Sequence, residues 1–143
     1  MLNTQKNIPS SIDLDRAERL REVLEILGDL NDSVPVIVEG KKDESALREL
    51  GLNGEIIKLH AGKSLYDFCD DILRKFDRVI LLLDWDRRGE ELSKSLSKYL
   101  KGHYEEFSSF RELLKILCQK EIYAIEGIPK LLKRLEGTEG TWQ

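Results

Sequence analysis

The sequence predicts an α/β protein built on a four-stranded, mainly parallel sheet flanked by helices. Three observations carry that reading. Short strand-like runs recur at Val34–Val38, Ile56–His60 and Val79–Leu83, and the last, five consecutive apolar residues too short for a helix, reads as a strand buried on both faces. Amphipathic stretches at helical spacing separate them, giving the order α, then β-α-β-α-β-α. That alternation specifies parallel strands joined by crossover helices. Finally, acidic residues stand where two of the runs end: Glu39 after the first, and Asp84 and Asp86 after the last. Open α/β sheets hold their ligands at the carboxyl ends of strands.

The elements follow in order. Met1–Ser11 is polar and reads as a loose tail. Leu20, Val23, Leu24 and Leu27 define a helix over Ile12–Leu30, with Ser11 or Asp13 as its cap and Gly28 near its end. In the strand Val34–Val38, Pro35 is tolerated near the start, where no ladder N–H is needed. Asp43 is then expected to cap a helix over Glu44–Leu50, closed by Gly51. After the strand Ile56–His60 comes the turn Ala61-Gly62-Lys63-Ser64, then a helix ending at Phe76 with Tyr66, Cys69, Leu73 and Phe76 on one face. The strand Val79–Leu83 leads into a helix over Glu90–Lys101. His103–Phe107 is the expected fourth strand. Ser109 and Glu112 have the spacing of a capping box before a helix over Phe110–Cys118. Pro129 opens a last helix, Lys130–Leu135, before a frayed tail, Gly137–Gln143. The chain thus divides into an N-terminal tail and helix (1–30), an α/β core (31–107), and C-terminal helices and tail (108–143), expected to form one domain.

Composition narrows the function classes. A net charge of −4 with 35% charged residues describes a soluble chain without the overall basic footprint of many nucleic-acid binders. No apolar run reaches membrane-spanning length, and residues 1–11 lack a signal peptide's pattern, so the expectation is a cytoplasmic protein with no membrane partner. The two cysteines, Cys69 and Cys118, lie in apolar helical patterns and read as buried thiols. Neither His60 nor His103 has ligand spacing to a second histidine or cysteine.

The stretch Val79-Ile-Leu-Leu-Leu-Asp84-Trp-Asp86-Arg-Arg-Gly89 carries the chemistry. Residues two apart in extended chain project to one side, so Asp84 and Asp86 converge. Their repulsion is relieved by a cation, and hard carboxylate oxygens suit Mg2+ or Mn2+. Arg87 and Arg88 can clamp a phosphate in bidentate fashion, or form ion pairs with Glu90 or Glu91. Trp85 can stack on a base or pack against the sheet edge. Gly62-Lys63-Ser64 suggests a phosphate loop, but the pattern needs a glycine five residues before Gly62, where Ile57 stands. Lys63 beside the acids, reaching a phosphate, is the better fit, with a solvated lysine as the plain alternative.

Val-Ile-Val-Glu39-Gly40-x-x-Asp43, followed 45 residues after the glutamate by Leu-Leu-Leu-Asp84-x-Asp86-x-x-Gly89, resembles the Toprim domain. That family is named for topoisomerases and bacterial-type primases, and includes OLD-type nucleases and ribonucleases that mature ribosomal RNA. The resemblance covers about Val34 to Lys101 and implies a Rossmann-like Toprim fold. It implies that Glu39 is a general acid or base able to bind metal, and that Asp84 and Asp86 hold Mg2+ (or Mn2+), as one or two ions. Gly40, Gly62 and Gly89 would supply backbone turns, and Lys41, Lys63, Arg87 and Arg88 would contact phosphates of RNA or DNA. The length suggests a small, free-standing, primase-like protein of the archaeal and bacterial type. The tyrosine nucleophile domains of type IA topoisomerases and the zinc and helicase-contacting modules of primases have no counterpart in the sequence.

Two functions from different classes therefore stand. The first is Mg2+-dependent chemistry on nucleic-acid phosphodiesters, as nuclease or nucleotidyl transferase. The second is a metal- and nucleic-acid-binding module with little catalysis of its own, serving a protein partner in RNA or DNA processing. A haloacid-dehalogenase-type phosphatase ranks third, because Arg88 occupies the position where that chemistry usually has threonine.

Overall fold

A computed structural model describes residues 8–59 and 62–138. The expectations placed on residues 1–7, on His60 and Ala61, and on 139–143 lie outside them.

The first helix, α1 (Ser11–Asn31), buries Ala17, Leu20, Leu24 and Leu27 along one stripe. Its cap is Ser10 rather than Ser11 or Asp13. Ser10 has an extended backbone, and its Oγ accepts from the Asp13 N–H at 3.0 Å. The buried Asn31 side chain then fixes the exit: Nδ2 donates to the Val34 and Glu55 carbonyls, and Oδ1 accepts from the Gly54 N–H.

Strand β1 (Val36–Val38) leads into α2 (Lys41–Glu49), β2 (Ile56–Lys58), α3 (Leu65–Leu73), β3 (Ile80–Leu81) and α4 (Arg87–Tyr99). The strands lie in the order β2-β1-β3, all parallel, so the first strand in sequence is central and each crossover helix covers a face. Alternation along the strands sorts the core in two. Val36, Val38, Ile80 and Leu82 face α1, α2 and the C-terminal helices, while Ile37, Val79, Leu81 and Leu83 face α3 and α4. Burial on both faces holds for β1 and β3, whereas β2, at the sheet edge, runs from the buried Ile56 to the exposed Lys58.

Several boundaries differ from the expectation. The sheet has three strands, because the segment expected as a fourth curls into a 3₁₀ turn at Glu105–Phe107. Gly102 takes φ +90°, and the Glu105 carboxylate draws in its N–H at 2.8 and 3.0 Å and that of Tyr104 at 3.3 Å. The segment still meets the sheet edge where the Val79 N–H donates to the His103 carbonyl at 2.9 Å. The His103 ring Nδ1 lies 2.8 Å from the Asp77 carbonyl, a structural contact. Helix α3 ends at Leu73 and buries Phe68, Cys69 and Ile72, leaving Tyr66 outside against Tyr99. Burial pushes the Cys69 thiol up to about 11 and the Cys118 thiol up to about 12.

Helix α5 (Ser109–Cys118) follows the 3₁₀ turn directly, so Ser109 lies inside the helix and makes no capping box. A second 3₁₀ turn at Ile125–Gly127 feeds α6 (Ile128–Glu136), with Pro129 in its first turn and Gly137 left-handed at its end. No helix among the described residues is long and apolar enough to cross a membrane.

Candidate metal centre

Parallel pairing decides which acids meet. The register sets Ile37 of β1 against Leu81 of β3, so Glu39, two residues on, stands level with Leu83, one short of Asp84. The Glu39 side chain, 9% exposed, turns across this gap. Its Oε2 accepts from the Asp84 N–H at 3.0 Å, and its Oε1 lies 3.3 Å from Arg88 Nη1. Arg88 is therefore the partner of Glu39. Glu90, one of the two partners the sequence offered for these arginines, pairs instead with Arg111 and Lys115. Arg87 is exposed and has no ion pair among the described residues.

Asp84 is 8% exposed and held from both ends. Its Oδ1 accepts from the Ile125 N–H at 2.8 Å. Its carbonyl accepts from Arg111 Nη2 at 2.6 Å, while Arg111 Nε donates to the Leu83 carbonyl at 2.8 Å. Burial pushes the Asp84 carboxyl up to about 7. The Ile125 N–H opposes the shift, and Asp43, Glu39 and Asp86 reinforce it by repulsion. Asp86 caps α4, with its Oδ1 accepting from the Gly89 N–H at 2.7 Å, so the helix begins at Arg87 rather than Glu90.

The two motif glycines serve different ends. A Cβ on Gly89 would fall 1.9 Å from the Asp84 carbonyl oxygen and 2.9 Å from Glu39 Oε2. Only glycine lets α4 start this close to the acids. Gly40 is extended (φ −155°), a conformation open to any residue, and a Cβ there would meet nothing within 4 Å. Its free side faces open space beside Glu39.

Four groups escaped the sequence reading. Asp43 is not the cap of α2. It is the third residue of a helix that starts at Lys41, and its Oδ2 reaches back to the Gly40 N–H at 3.2 Å. Burial pushes its carboxyl above the usual range; repulsion from Glu39 and Glu126 adds to the shift, and the backbone of Gly40 and Glu126 opposes it. Its second oxygen, Oδ1, is buried without a hydrogen-bond partner among the described residues. Asp43 stood in the Glu-Gly-x-x-Asp pattern, so a signal for it existed. Glu126, Ile125 and Arg111 arrive from far along the chain and carry no local signal.

Other expected contacts fall elsewhere. Trp85 is buried, donating its ring N–H to the Ile122 carbonyl at 2.8 Å, so it packs and does not stack on a base. Lys63 pairs with Asp71 and lines a hollow with Lys58, Arg74 and Lys75. Gly62 lies in a turn beside it. Lys41 is exposed in the first turn of α2.

The donor set suits a hard divalent cation. Glu39, Asp43, Asp84 and Asp86 repel one another, Asp43 has an unused buried oxygen, and Gly40 leaves room alongside. Among the described residues no three of these acids stand close enough to share one ion. Mg2+ keeps several waters and needs only one or two carboxylates plus substrate oxygens.

The Toprim domain profile matches residues 34–116. The chain is 34% identical over 126 residues to the UPF0292 protein of Methanosarcina barkeri, covering 84% of this chain and 85% of that protein. It is also 34% identical over 123 residues to the UPF0292 protein of Pyrococcus horikoshii, covering 85% and 90%. Among solved structures, a protein from Aquifex aeolicus superposes with a TM-score of 0.62 at 31% identity, over 73% of this chain and 94% of that one.

Proposed function

The chain belongs to the Toprim domain family, and from that premise we propose that it acts on nucleic-acid phosphodiesters in a Mg2+-dependent reaction, cleaving or forming the bond. The observation that carries the reading is the meeting of Glu39 and Asp84 from neighbouring parallel strands, joined by one hydrogen bond at the carboxyl edge of the sheet. Asp84 and Asp86 would hold the ion, which when bound neutralises charge on the reacting phosphate and on the leaving oxygen. Asp43 adds negative potential from behind, through a carboxylate that makes no other use of Oδ1.

The remaining work falls to this chain's own side chains. Glu39 lies on a different strand from the aspartates, so it can reach the phosphate from another side and move a proton there. The Arg88 side chain is 75% exposed while its guanidinium touches Glu39. It can swing to a phosphate oxygen and free the glutamate as substrate arrives. The Arg111 bonds to the Leu83 and Asp84 carbonyls hold the end of β3 still, so the Asp84 carboxylate has a fixed aim.

Incubation with labelled RNA and DNA in Mg2+ or Mn2+, with and without nucleotides, tests the proposal. Shortened products mean cleavage and lengthened ones synthesis, and both should disappear in Glu39→Gln. Polymers left unaltered under every condition would remove the catalytic reading. One observation favours a second reading, in which the chain binds metal and nucleic acid for a processing partner: Glu39 is already engaged by the Asp84 N–H and Arg88. Binding retained in Glu39→Gln, with no activity in the parent to lose, would select it.

A further inference from the structure

A hollow of about 680 Å3 lies between α2 and α6, outside the acid cluster but touching it. Its walls carry Lys41 and Lys42 from the start of α2 and Lys130 and Lys133 from α6, with Glu49 and Glu126 as the acids among them. Glu126 follows Ile125, whose N–H bonds Asp84 Oδ1, and Lys41 follows Gly40, whose N–H bonds Asp43 Oδ2, so this end adjoins the acid cluster. At the other end Lys133 lies 3.9 Å from Glu49, the last residue of α2. Lys41, Lys42 and Lys130 have no carboxylate within ion-pair distance among the described residues.

We propose that this hollow is the track along which a nucleic-acid strand runs to the acids, its lysines meeting successive backbone phosphates. The inference rests on the functional reading above and adds the path of the substrate. Three features favour a strand. The lysines are spread along the hollow rather than converging on a point as a small anion would require: Lys41 and Lys42 open α2, and Lys133 stands beside Glu49 at its other end, roughly 12 Å away at 1.5 Å per residue. Four lysines against two glutamates give a locally positive channel on a chain of net charge −4, so the charge is concentrated where a polyanion would lie. No aromatic side chain lines the hollow, so it offers neither base stacking nor the aromatic anchors typical of a protein partner. Contacts limited to phosphates make the track indifferent to sequence.

The test is fluorescence anisotropy of labelled 15-nucleotide single-stranded DNA and RNA with the full chain in Mg2+, across a salt series. Lys41→Gln, Lys42→Gln, Lys130→Gln and Lys133→Gln are combined in one variant. All four side chains are exposed, and melting temperature verifies the fold. Loss of four phosphate contacts lowers the slope of log K against log salt by about 2.8, at about 0.7 per contact on a single strand. A charge-matched control, with Lys75, Lys94, Lys98 and Lys101 changed to Gln, keeps the wild-type slope. If the groove variant also keeps it while the wild type binds, the strand passes elsewhere and the track is wrong, with the functional reading intact. Failure of the wild type to bind either polymer overturns the functional reading itself. Lysine-dependent capture of a labelled poly-glutamate peptide, with neither polymer bound, overturns the track in favour of an acidic protein partner.

Discussion

Replacing Asp84 with asparagine should stabilise the metal-free protein at neutral and alkaline pH. The Asp84 carboxyl rises from 3.8 to about 7 because it is buried and faces Asp43, Glu39 and Asp86. The folded state therefore holds this proton more tightly than the unfolded chain does. Stability from this group is fully present below the unfolded value near 4 and is lost as pH rises toward 7. A shift of about 3 units at 1.36 kcal/mol each puts the cost of the ionised carboxylate at up to about 4 kcal/mol above pH 7. Asparagine removes that charge and keeps an oxygen to accept the Ile125 N–H. Urea unfolding, followed by circular dichroism at pH 4, 6 and 8, measures the difference. The variant should gain most at pH 8 and almost nothing at pH 4. Mg2+ should narrow the difference at pH 8, stabilising the wild type by about 2.7 kcal/mol at a hundred times its dissociation constant and the variant far less. Parallel pH profiles for the two proteins, with an equal response to Mg2+, would refute both the buried-charge argument and the role of Asp84 at the ion.

Glu39→Gln keeps the side chain's shape, and a lost proton-transfer group should lower turnover by about a hundredfold or more, with nucleic-acid affinity changed far less. Parallel loss of both, measured by product formation and anisotropy, would make Glu39 a metal ligand first. Gly89→Ala drives a methyl into the Asp84 carbonyl and Glu39 Oε2, and should cost about 2 kcal/mol or more in chemical denaturation, in the range of overpacking. A stability equal to wild type would mean that α4 can start elsewhere. Arg111→Met leaves the Leu83 and Asp84 carbonyls without their buried donor and should cost about 3 kcal/mol or more, with calorimetry showing weakened Mg2+ binding. Unchanged Mg2+ affinity would leave Arg111 a purely structural bond.

What could be read from sequence was what neighbours along the chain decide. Val79–Leu83 is apolar at every position and buried at every position, so the strand and its acid terminus were visible together. Glu39 and Asp84 were legible as a pair because parallel strands deliver their carboxyl ends to one edge. Elements settled by a single side chain were harder. Glu105 takes the Gly102 and Tyr104 N–H groups and curls a segment whose composition suits a strand. Asp43 looks like a cap and proves to be the residue that reaches back to one. Contacts such as Arg111 to the Asp84 carbonyl, 27 residues away, leave no periodic trace, because one buried arginine is indistinguishable in sequence from its exposed neighbours.

The bond from the Ile125 N–H to Asp84 also sets an order of events during synthesis. The two residues are 41 apart. A ribosome adding about 5–20 residues per second needs roughly 2–8 s to cover that interval. Throughout it the three parallel strands are already encoded in the emerged or emerging chain, while the aspartate still lacks the donor that fixes its aim. Through that window the Asp84 carboxylate is free to rotate, and the sheet edge acquires its final geometry only when the 3₁₀ turn before α6 closes over it.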